Sequence, residues 1–393
     1  MNRVVVILRR ATGVLGCNMR SKILISRSIC LLLIPVFILT AATVSPCCSL
    51  FYLSREGVAV FGRNLDWDDP VPGVVVVNKR GAEKTLLPWK GWWPAPRQAE
   101  PVSWISLYGS VTFTCYGRDF IEGGMNEAGL TVSEASLASV YPPDDGRPGV
   151  SCMQWMQYQL DNFGAVDSVI AHLSDLRPDG EGMHYLVADS GGRCAVIEYL
   201  AGEALVYSGS DVEVCAVTNT AYRKALSQMP MDRAFGGDAD IASAKDSYGR
   251  FVRMAALMRD YDPEHDGDAV DYAFHILSEV GCPDTRRSIV YDIGERCVLW
   301  TAGADTTVRR LDLDSLDLSS GTPTLMCGIG KGEPGDVSNL LKTYTLDANR
   351  EVVKTLLGPV RRNAETIGLL EQRGLTVAEA LELIAIHPFQ TGQ

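Results

Sequence analysis

The sequence places a cysteine, Cys47, at the end of an apolar segment and follows it directly with Cys48. A cysteine in this position has three possible roles: a lipid-anchored residue, a structural thiol, or the first residue of a processed chain. Lipid attachment favours a small residue before the cysteine, and Pro46 fits poorly. In the third role the thiolate attacks a carbonyl carbon, and the freed α-amine, with an ordinary pKa of about 7.7–8.0, serves as its base.

Two charged residues downstream are candidates for the same site. The segment Phe61–Trp67 (FGRNLDW) places Arg63 and Asp66 three positions apart at the end of a predicted strand, so both can point towards the start of the preceding strand. A surface ion pair, which contributes little stability, is the alternative for such a pair. No motif pairs a cysteine with any of the five histidines, which are His172, His184, His265, His275 and His387.

The first 46 residues have the pattern of a secretory signal. They contain six basic residues and no acidic residue, followed by a mostly apolar run from Ile29 to Val44 with Ala41 and Ala42 near its end. This run is short for a membrane-spanning helix, which needs about 20 residues, and it contains Pro35. We therefore expect a secreted or periplasmic protein, with a membrane anchor as the alternative. The eight cysteines after Cys47 could then form disulfides.

Composition and motifs argue against several other functions. The formal net charge of −12 disfavours a nucleic-acid partner. The phosphate-binding patterns G-x-x-x-x-G-K-[ST] and G-x-G-x-x-G are absent, which disfavours a nucleotide enzyme. The cysteines after Cys48 are scattered rather than arranged in C-x-x-C pairs, so zinc or iron–sulfur ligation has no support. The sequence predicts a protein that needs no metal and no cofactor.

Hydrophobic patterning predicts a domain that mixes strands and helices. Short apolar runs bounded by glycine and charged turn residues, such as Ser49–Leu53 and Val58–Phe61, predict strands. Helical spacing separates groups of strands at Met153–Phe163, Val166–Leu173, Arg250–Asp260 and Asp268–Glu279. This order is typical of an α+β domain whose sheets are covered by helices. A tail from about Pro334 shows helical spacing again, and we expect a helical appendix with a structural role.

Several motifs, in order along the chain, resemble the choloylglycine hydrolase family of N-terminal nucleophile hydrolases, which includes bile salt hydrolases and penicillin V acylases. The resemblance runs from Cys47 to about Thr301. The separations of 16 and 19 positions from Cys47 to Arg63 and Asp66 are those of the family. Cys48 occupies the usual threonine position and is the rival nucleophile. The motifs are Cys47–Leu50 (CCSL), Phe61–Trp67, Gly124–Leu130 (GMNEAGL), Val217–Thr220 (VTNT) and Gly249–Phe251 (GRF).

The resemblance implies a four-layer αββα sandwich of the N-terminal nucleophile hydrolase type, to which the patterning of the tail adds a C-terminal helical extension. It implies that Asp66 holds the α-amine of Cys47 and that Arg63 lies against its thiol. Asn126 and Asn219 would donate hydrogen bonds to the oxyanion of the tetrahedral intermediate, although a turn residue is the alternative for each asparagine. Arg250 matches a second arginine near the thiol, with a helix-surface arginine as the alternative; Gly249 replaces the serine that the family has before it.

The resemblance also implies a domain organisation, an activity and an assembly state. We expect a signal and short pro-segment over 1–46, a catalytic domain over 47–330 and the helical extension over 331–393. The mature protein would hydrolyse linear amide C–N bonds through an acyl-thioester intermediate, and it would form a homo-oligomer. Small-molecule N-acyl amides, such as penicillin V, acyl-homoserine lactones or conjugated bile salts, would be its substrates.

Tryptophans between the motifs are candidates for a substrate pocket. Trp67, Trp89 and Trp92 offer flat apolar surface that suits an apolar or aromatic acyl group, although core packing is an equally good explanation. Two further functions remain open from the sequence. One is an inactive exported or lipid-anchored binding protein on the same scaffold. The other is an acyltransferase that passes the acyl group to an amine.

Overall fold

The computed structural model describes residues 48–55, 57–69, 72–90, 93–94, 102–362 and 364–390. The predicted signal segment, the predicted nucleophile Cys47 and the predicted pocket residue Trp92 lie outside these residues. Within the described ranges, no helix combines the length and the apolar character needed to span a bilayer.

The strands, numbered in chain order, form two large sheets and three two-stranded ones. Their bounds are β1 Ser49–Arg55, β2 Val58–Asp66, β3 Val74–Asn78, β4 Glu83–Thr85, β5 Trp89–Lys90, β6 Trp93–Pro94, β7 Ser103–Ile105, β8 Ser110–Thr114, β9 Gly123–Asn126, β10 Thr131–Ser136, β11 Gly149–Ser151, β12 Arg177–Asp179, β13 Met183–Ala188, β14 Cys194–Leu200, β15 Glu203–Ser208, β16 Ala216–Val217, β17 Thr285–Asp292, β18 Cys297–Ala302, β19 Asp305–Asp312, β20 Leu325–Gly328, β21 Gly335–Asp336 and β22 Lys342–Thr343.

The helices fall between the strand groups and at the C-terminal end, as the sequence predicts. Their bounds are α1 Cys152–Asn162, α2 Val166–Ala171, α3 Tyr222–Leu226, α4 Ser247–Asp260, α5 Ala269–Glu279, α6 Leu346–Lys354, α7 Leu357–Arg362, α8 Ala364–Gln372 and α9 Val377–Ile386. Side chains start several of them: the Asp246 carboxylate accepts from the Gly249 backbone N–H at the first turn of α4, and Thr376 with Glu379 forms a capping box at α9.

Two large sheets pack face to face. The seven-stranded sheet has the order β16-β1-β2-β17-β18-β19-β21, and the nine-stranded sheet has the order β15-β14-β13-β10-β9-β8-β3-β20-β22. Between them Phe113 of β8 makes edge-on ring contacts with Tyr291 of β17 and Trp300 of β18, with ring centroids 6.1 and 5.5 Å apart. These rings belong to one large buried cluster that contains residues of both sheets.

Helices cover the outer faces of both sheets. Ile276 and Leu277 of α5 belong to the same large buried cluster, and the Asn64 side chain of β2, in the seven-stranded sheet, donates to the Leu277 carbonyl at 2.8 Å. Trp155 of α1 packs with Val187 of β13 on the outer face of the second sheet. Because both faces of the sheets are covered, inner strands are buried along their whole length, which explains the four-valine run of β3. The fold is a four-layer αββα sandwich.

A disulfide and the C-terminal helices complete this architecture. Cys194 of β14 is bonded to Cys215, which precedes β16, so the disulfide links the two large sheets. The C-terminal helices are anchored by the buried Asn349 of α6. Its side-chain oxygen accepts from the Arg118 N–H at 2.9 Å, and its side-chain nitrogen donates to the Ala385 carbonyl at 2.6 Å. The extension therefore shares a hydrophobic core with the sandwich.

Candidate active site

Arg63 lies fully buried between the two sheets. It sits on β2, opposite Leu50 of β1, and its guanidinium points into the interior. One Nη donates to the Glu122 carbonyl, and the other lies 2.8 Å from Glu134 Oε1 of β10. Burial raises the pKa of the Glu134 carboxyl to about 7, although Arg63 acts in the opposite direction. A buried guanidinium needs such a partner, because an isolated charge there is strongly destabilising.

The Cys48 thiol lies close to this ion pair. Cys48 immediately precedes β1, it is buried, and its Sγ is 3.9 Å from the Asp66 carbonyl oxygen. Burial raises the pKa of this thiol to about 12, and the Glu134 carboxylate adds to the increase while Arg63 opposes it. At neutral pH, therefore, Cys48 is a neutral thiol rather than a nucleophilic thiolate.

Asp66 ends β2 with one carboxylate oxygen satisfied and one not. Oδ1 accepts a hydrogen bond from the Thr285 hydroxyl of β17. Oδ2 is buried and accepts no N–H or O–H hydrogen bond from the described residues, while the Cys282 thiol also hydrogen-bonds this carboxylate. Burial raises the pKa of the Asp66 carboxyl to about 6. A buried acceptor without a partner is uncommon in native proteins, and here it is available to a cationic donor.

Arg250 joins the start of β1 to Asn219. It lies buried in the first turn of α4. Its Nη1 donates to the Cys48 carbonyl at 2.9 Å and to the Ser49 hydroxyl at 2.7 Å, while its Nη2 donates to Asn219 Oδ1 at 2.9 Å. The helix-surface alternative for Arg250 is thereby excluded. Arg250 thus contacts the backbone that follows Cys47, while the charges of Arg63 and Asp66 act on the neighbouring Cys48 thiol.

Asn219 is held from several sides. Its Nδ2 donates to the Ser136 carbonyl at the end of β10 at 3.0 Å, which leaves the second Nδ2 hydrogen for another acceptor. Its backbone N–H donates to the Ser247 hydroxyl at 3.0 Å. The preceding carbonyl, that of Thr218, accepts from the buried His184 ring. The amide of Asn219 is therefore fixed in place while half-exposed, as a hydrogen-bond donor to a reacting group would need to be.

A largely apolar pocket opens beside this cluster. Its volume is about 310 Å³, and we name it the Trp67 pocket after the residue that follows Asp66. Trp67 stacks on Tyr116 with ring centroids 5.6 Å apart, and Trp89 lies against Phe120 at 5.9 Å. Two of the three predicted pocket tryptophans thus line one cavity. The wall is completed by Asp69, Ser151, Cys152, Met153, Glu181, Leu356, Pro359, Val360, Leu381 and Ile384.

Residues 47–288 match the family described as linear amide C-N hydrolases, choloylglycine hydrolase family. The chain belongs to the choloylglycine hydrolase family. This confirms the resemblance drawn from the sequence motifs.

Individual relatives agree with the family match. A penicillin V acylase of Pectobacterium atrosepticum is 25% identical over 268 residues, which cover 61% of this chain and 66% of that protein. A bile salt hydrolase/transferase of Bifidobacterium longum is 24% identical over 300 residues, covering 69% and 92%. The solved penicillin V acylase from Agrobacterium tumefaciens has a TM-score of 0.65 at 24% identity, covering 76% of this chain and 98% of its own. A mutant conjugated bile acid hydrolase from Clostridium perfringens has a TM-score of 0.59 at 14% identity, covering 74% and 99%. These likenesses confirm the fold.

The departure at Gly249 from the choloylglycine hydrolase pattern has a steric explanation. A Cβ at this position would lie 2.0 Å from the Ala244 carbonyl oxygen and 2.8 Å from that of Ile241, both backbone atoms. No serine fits there. A hydroxyl is supplied instead by Ser247, two residues earlier, which contacts Thr218, Asn219 and Thr220. The same turn of α4 therefore still contains a serine hydroxyl, although position 249 cannot provide it.

Asn126 does not join the cluster. Both hydrogens of its Nδ2 are donated to backbone carbonyls at the end of α1, those of Leu160 and Phe163, at 2.8 Å each. Its Oδ1 accepts from the backbone N–H groups of Ala128 and Leu130 at 3.1 and 3.0 Å. With every donor already used, the side chain has none to offer an oxyanion. The prediction of an oxyanion donor at Asn126 disagrees with this geometry, which is that of a turn residue.

Sequence reasoning missed the residues that support the motifs. Glu134 pairs with Arg63, Ser136 accepts from Asn219, and Thr285 binds Asp66. Glu122, fully buried, lies 3.4 Å from an Nη of Arg287 in the same interior. Glu134 could have been identified from the sequence, because an acidic residue inside an otherwise apolar or hydroxyl-bearing strand needs a buried partner. The other three are ordinary polar residues whose partners are distant in sequence.

Proposed function

We propose that the mature protein begins at Cys47 and hydrolyses linear amide C–N bonds of N-acyl amides through an acyl-thioester. The observation that carries this proposal is the bridge made by Arg250, which ties the first residues after Cys47 to Asn219. The start of the family match at residue 47 supports the choice of Cys47 as the first residue. The high pKa of the Cys48 thiol argues against the rival nucleophile.

The proposed reaction begins when the α-amine of Cys47 removes the proton of its own thiol. The thiolate attacks the amide carbonyl, and the free Nδ2 hydrogen of Asn219 donates to the oxyanion that forms. The α-ammonium then gives its proton to the leaving amine as the C–N bond breaks. Water attacks the resulting thioester with the same amine as base, which releases the carboxylic acid and restores the thiol.

Asp66 and the two buried arginines have separate roles in this scheme. The buried Oδ2 of Asp66 accepts from the α-ammonium and keeps it beside the thiol. Arg250 fixes the backbone of residues 48 and 49. Arg63 supplies positive charge beneath the site, and Glu134 balances that charge. The positive charges favour the thiolate form of a nearby cysteine.

Export is part of the proposal. The basic and apolar segment before Cys47 supports it, and so does the disulfide between Cys194 and Cys215, since disulfides persist mainly outside the reducing cytosol. Removal of residues 1–46 would both complete export and expose the α-amine. Signal cleavage after Ala42 would leave four residues, Thr43–Pro46, to be trimmed afterwards.

The proposed substrates carry an apolar or aromatic acyl group. The Trp67 pocket supports this preference, because its lining is mostly aromatic and aliphatic. We expect phenoxyacetyl and fatty-acyl amides, including penicillin V and acyl-homoserine lactones, to react faster than glycine- or taurine-conjugated bile salts. The net charge of the chain offers no general attraction for those anionic conjugates.

One experiment tests nucleophile and reaction together. Purified exported protein is sequenced from its N-terminus, and wild type, Cys47→Ala and Cys48→Ser are assayed with penicillin V, octanoyl-homoserine lactone, glycocholate and taurocholate. We expect a free amine on Cys47, release of the carboxylic acid, no activity in Cys47→Ala and near-normal activity in Cys48→Ser. An active protein that starts elsewhere, or a dead Cys48→Ser beside a working Cys47→Ala, would overturn the assignment. A preference of about tenfold for a bile salt would overturn the substrate class.

A further inference from the structure

The wall of the Trp67 pocket comes from two distant parts of the chain. One side is built by the sandwich, with Trp67, Trp89, Phe120 and Met153. The opposite side is built by the C-terminal helices, with Val360 of α7 and Leu381 and Ile384 of α9. The family match ends at residue 288, so these helices lie outside it. The pocket is therefore shaped by residues that the family match does not include.

The C-terminal wall is fixed to the sandwich by buried polar contacts. The His387 ring at the end of α9 lies 2.6 Å from the Thr85 carbonyl. Asn349 of α6 bridges the Arg118 backbone and the Ala385 carbonyl, as described above. Arg373, after α8, donates to the Pro94 carbonyl at 3.1 Å. Helices held in this way form a rigid surface, and a site needs a rigid surface to discriminate between ligands by size.

Two connections link the wall of the Trp67 pocket to the residues of the proposed reaction. Trp67 follows Asp66 in the chain. Glu181, on the pocket wall, hydrogen-bonds the side chain of Ser136, whose carbonyl accepts from the Asn219 amide. In the proposed reaction, the substrate carbonyl is held by Asn219, the acyl chain enters this pocket and the amine points away from it. A volume of about 310 Å³ is at the lower end of the range for small-molecule sites, about 300–1,000 Å³.

The chemistry of the wall restricts the occupant. The C-terminal side offers only aliphatic groups, and the sandwich side is mainly aromatic. The two acidic residues on the wall, Asp69 and Glu181, disfavour an anionic group at the end of the chain. A neutral acyl chain or aryl group of limited length is the chemistry that fits.

We propose that helices α7 and α9 form the far wall of the acyl-binding site and set the length of acyl chain that the enzyme accepts. This proposal rests on the proposed amide hydrolysis. It assigns the C-terminal extension a role in specificity, where the sequence predicted only a structural one.

The test compares two neighbouring residues of α9. Ile384 lines the pocket, whereas Leu383 is 38% exposed and does not. Wild type, Ile384→Trp and Leu383→Trp are assayed for kcat/KM on p-nitroanilides of acetic, butyric, octanoic and dodecanoic acids. We expect Ile384→Trp to lower kcat/KM by about tenfold or more on the octanoyl anilide and by less than about threefold on the acetyl anilide. The reason is that methylenes excluded from the pocket no longer contribute to binding of the transition state. Leu383→Trp should match wild type at every length.

Two further measurements keep the outcomes distinct. Ile384→Ala enlarges the pocket and should shift the preference towards dodecanoyl, which covers the case where Ile384→Trp does not fold. Binding of the octanoyl anilide to Cys47→Ala, followed by tryptophan fluorescence, tests the pocket without turnover. One outcome would separate the two proposals: Cys47→Ala binds this anilide, the double variant Cys47→Ala/Ile384→Trp does not, and wild type cleaves no amide. This outcome would support the acyl-binding role of the pocket and refute the proposed hydrolysis. Equal losses at all lengths, or no change in either Ile384 variant, would overturn the proposal.

Discussion

Replacing Gly249 by alanine should lower both stability and activity, although alanine is the better helix former. Gly249 lies in the first turn of α4, directly before Arg250. At an open helical position, glycine to alanine stabilises by roughly 0.5–1 kcal/mol. Position 249 is closed, because a Cβ there meets three backbone atoms of residues 241 and 244 within 2.8 Å. The free energy of unfolding rises or falls depending on whether the helix propensity of alanine or the steric clash of its Cβ has the larger effect.

The structure allows the magnitude to be estimated. A Cβ essentially never approaches a heavy atom closer than 3.0 Å, and the nearest contact here is 2.0 Å, so the backbone must separate by about 1 Å. Overpacking of this kind costs roughly 1–3 kcal/mol or more. Because the clashing atoms belong to the main chain, no rotamer change relieves the clash, and we estimate its cost at about 3 kcal/mol. The higher helix propensity of alanine offsets about 1 kcal/mol of this cost, which leaves a net decrease of about 2 kcal/mol in the free energy of unfolding.

Activity should fall further than stability alone explains. A shift of about 1 Å in the first turn of α4 moves Arg250 away from Asn219 Oδ1 and the Cys48 carbonyl, both now 2.9 Å from its guanidinium. Misplacement by about 1 Å can cost about 10²-fold in rate. We expect kcat/KM of folded Gly249→Ala to fall by about that factor, and Gly249→Ser to behave in the same way.

Gly368 provides the matched control. It lies within helix α8, and a Cβ there would meet nothing within 4 Å. Gly368→Ala should therefore keep or raise the urea midpoint and leave kcat/KM unchanged. Urea unfolding and kcat/KM are measured for wild type and the three variants under the same conditions. If Gly249→Ala unfolds at the same urea concentration as Gly368→Ala and retains full activity, the steric reasoning is wrong.

Three other predictions follow from the site. Asn219→Ala should keep the fold but lose roughly 10²–10³ in kcat, the usual cost of one oxyanion donor, whereas Asn126→Ala should lower the urea midpoint and leave kcat of the folded protein nearly unchanged. Protonation of the α-amine lowers kcat/KM as the pH drops below about 8. Because burial raises the pKa of the Asp66 carboxyl to about 6, kcat/KM should fall more steeply below about pH 6, where the protonated carboxyl releases the α-ammonium; a pH–rate profile with no second, steeper limb would contradict this. Cys194→Ser should lower the free energy of unfolding by about 3 kcal/mol, and dithiothreitol should affect wild type but not this variant.

The fold was predictable because its strands and helices have strong local patterns. Apolar runs such as Val74–Val77 are buried on both faces, so each run marks an inner strand. Site residues could be proposed only where residue types recur at the family's spacing, as with Arg63 and Asp66, and their catalytic roles stay predictions. The motif around Asn126 does not reveal the partners of this side chain, whereas the structure shows four hydrogen bonds that are typical of a turn residue.

What the sequence could not supply is the pairing between distant segments. Glu134 lies 71 positions from Arg63, and only the packing of the two sheets brings their side chains to 2.8 Å. The same holds for Ile384 of α9 and Trp67, which line one pocket although they are far apart in the sequence. Periodicity predicts that a residue is buried, but it does not predict which residue it meets.

The contacts of the site share one feature that bears on how it can vary. Side chains donate to backbone carbonyls of other segments: Arg63 to Glu122, Arg250 to Cys48, Asn219 to Ser136 and His184 to Thr218. A carbonyl acceptor is present whatever the side chain at that position, so only the donor residue is constrained by type. Substitutions at the acceptor positions can therefore leave the catalytic geometry intact, while substitutions at the donors leave a buried carbonyl unsatisfied.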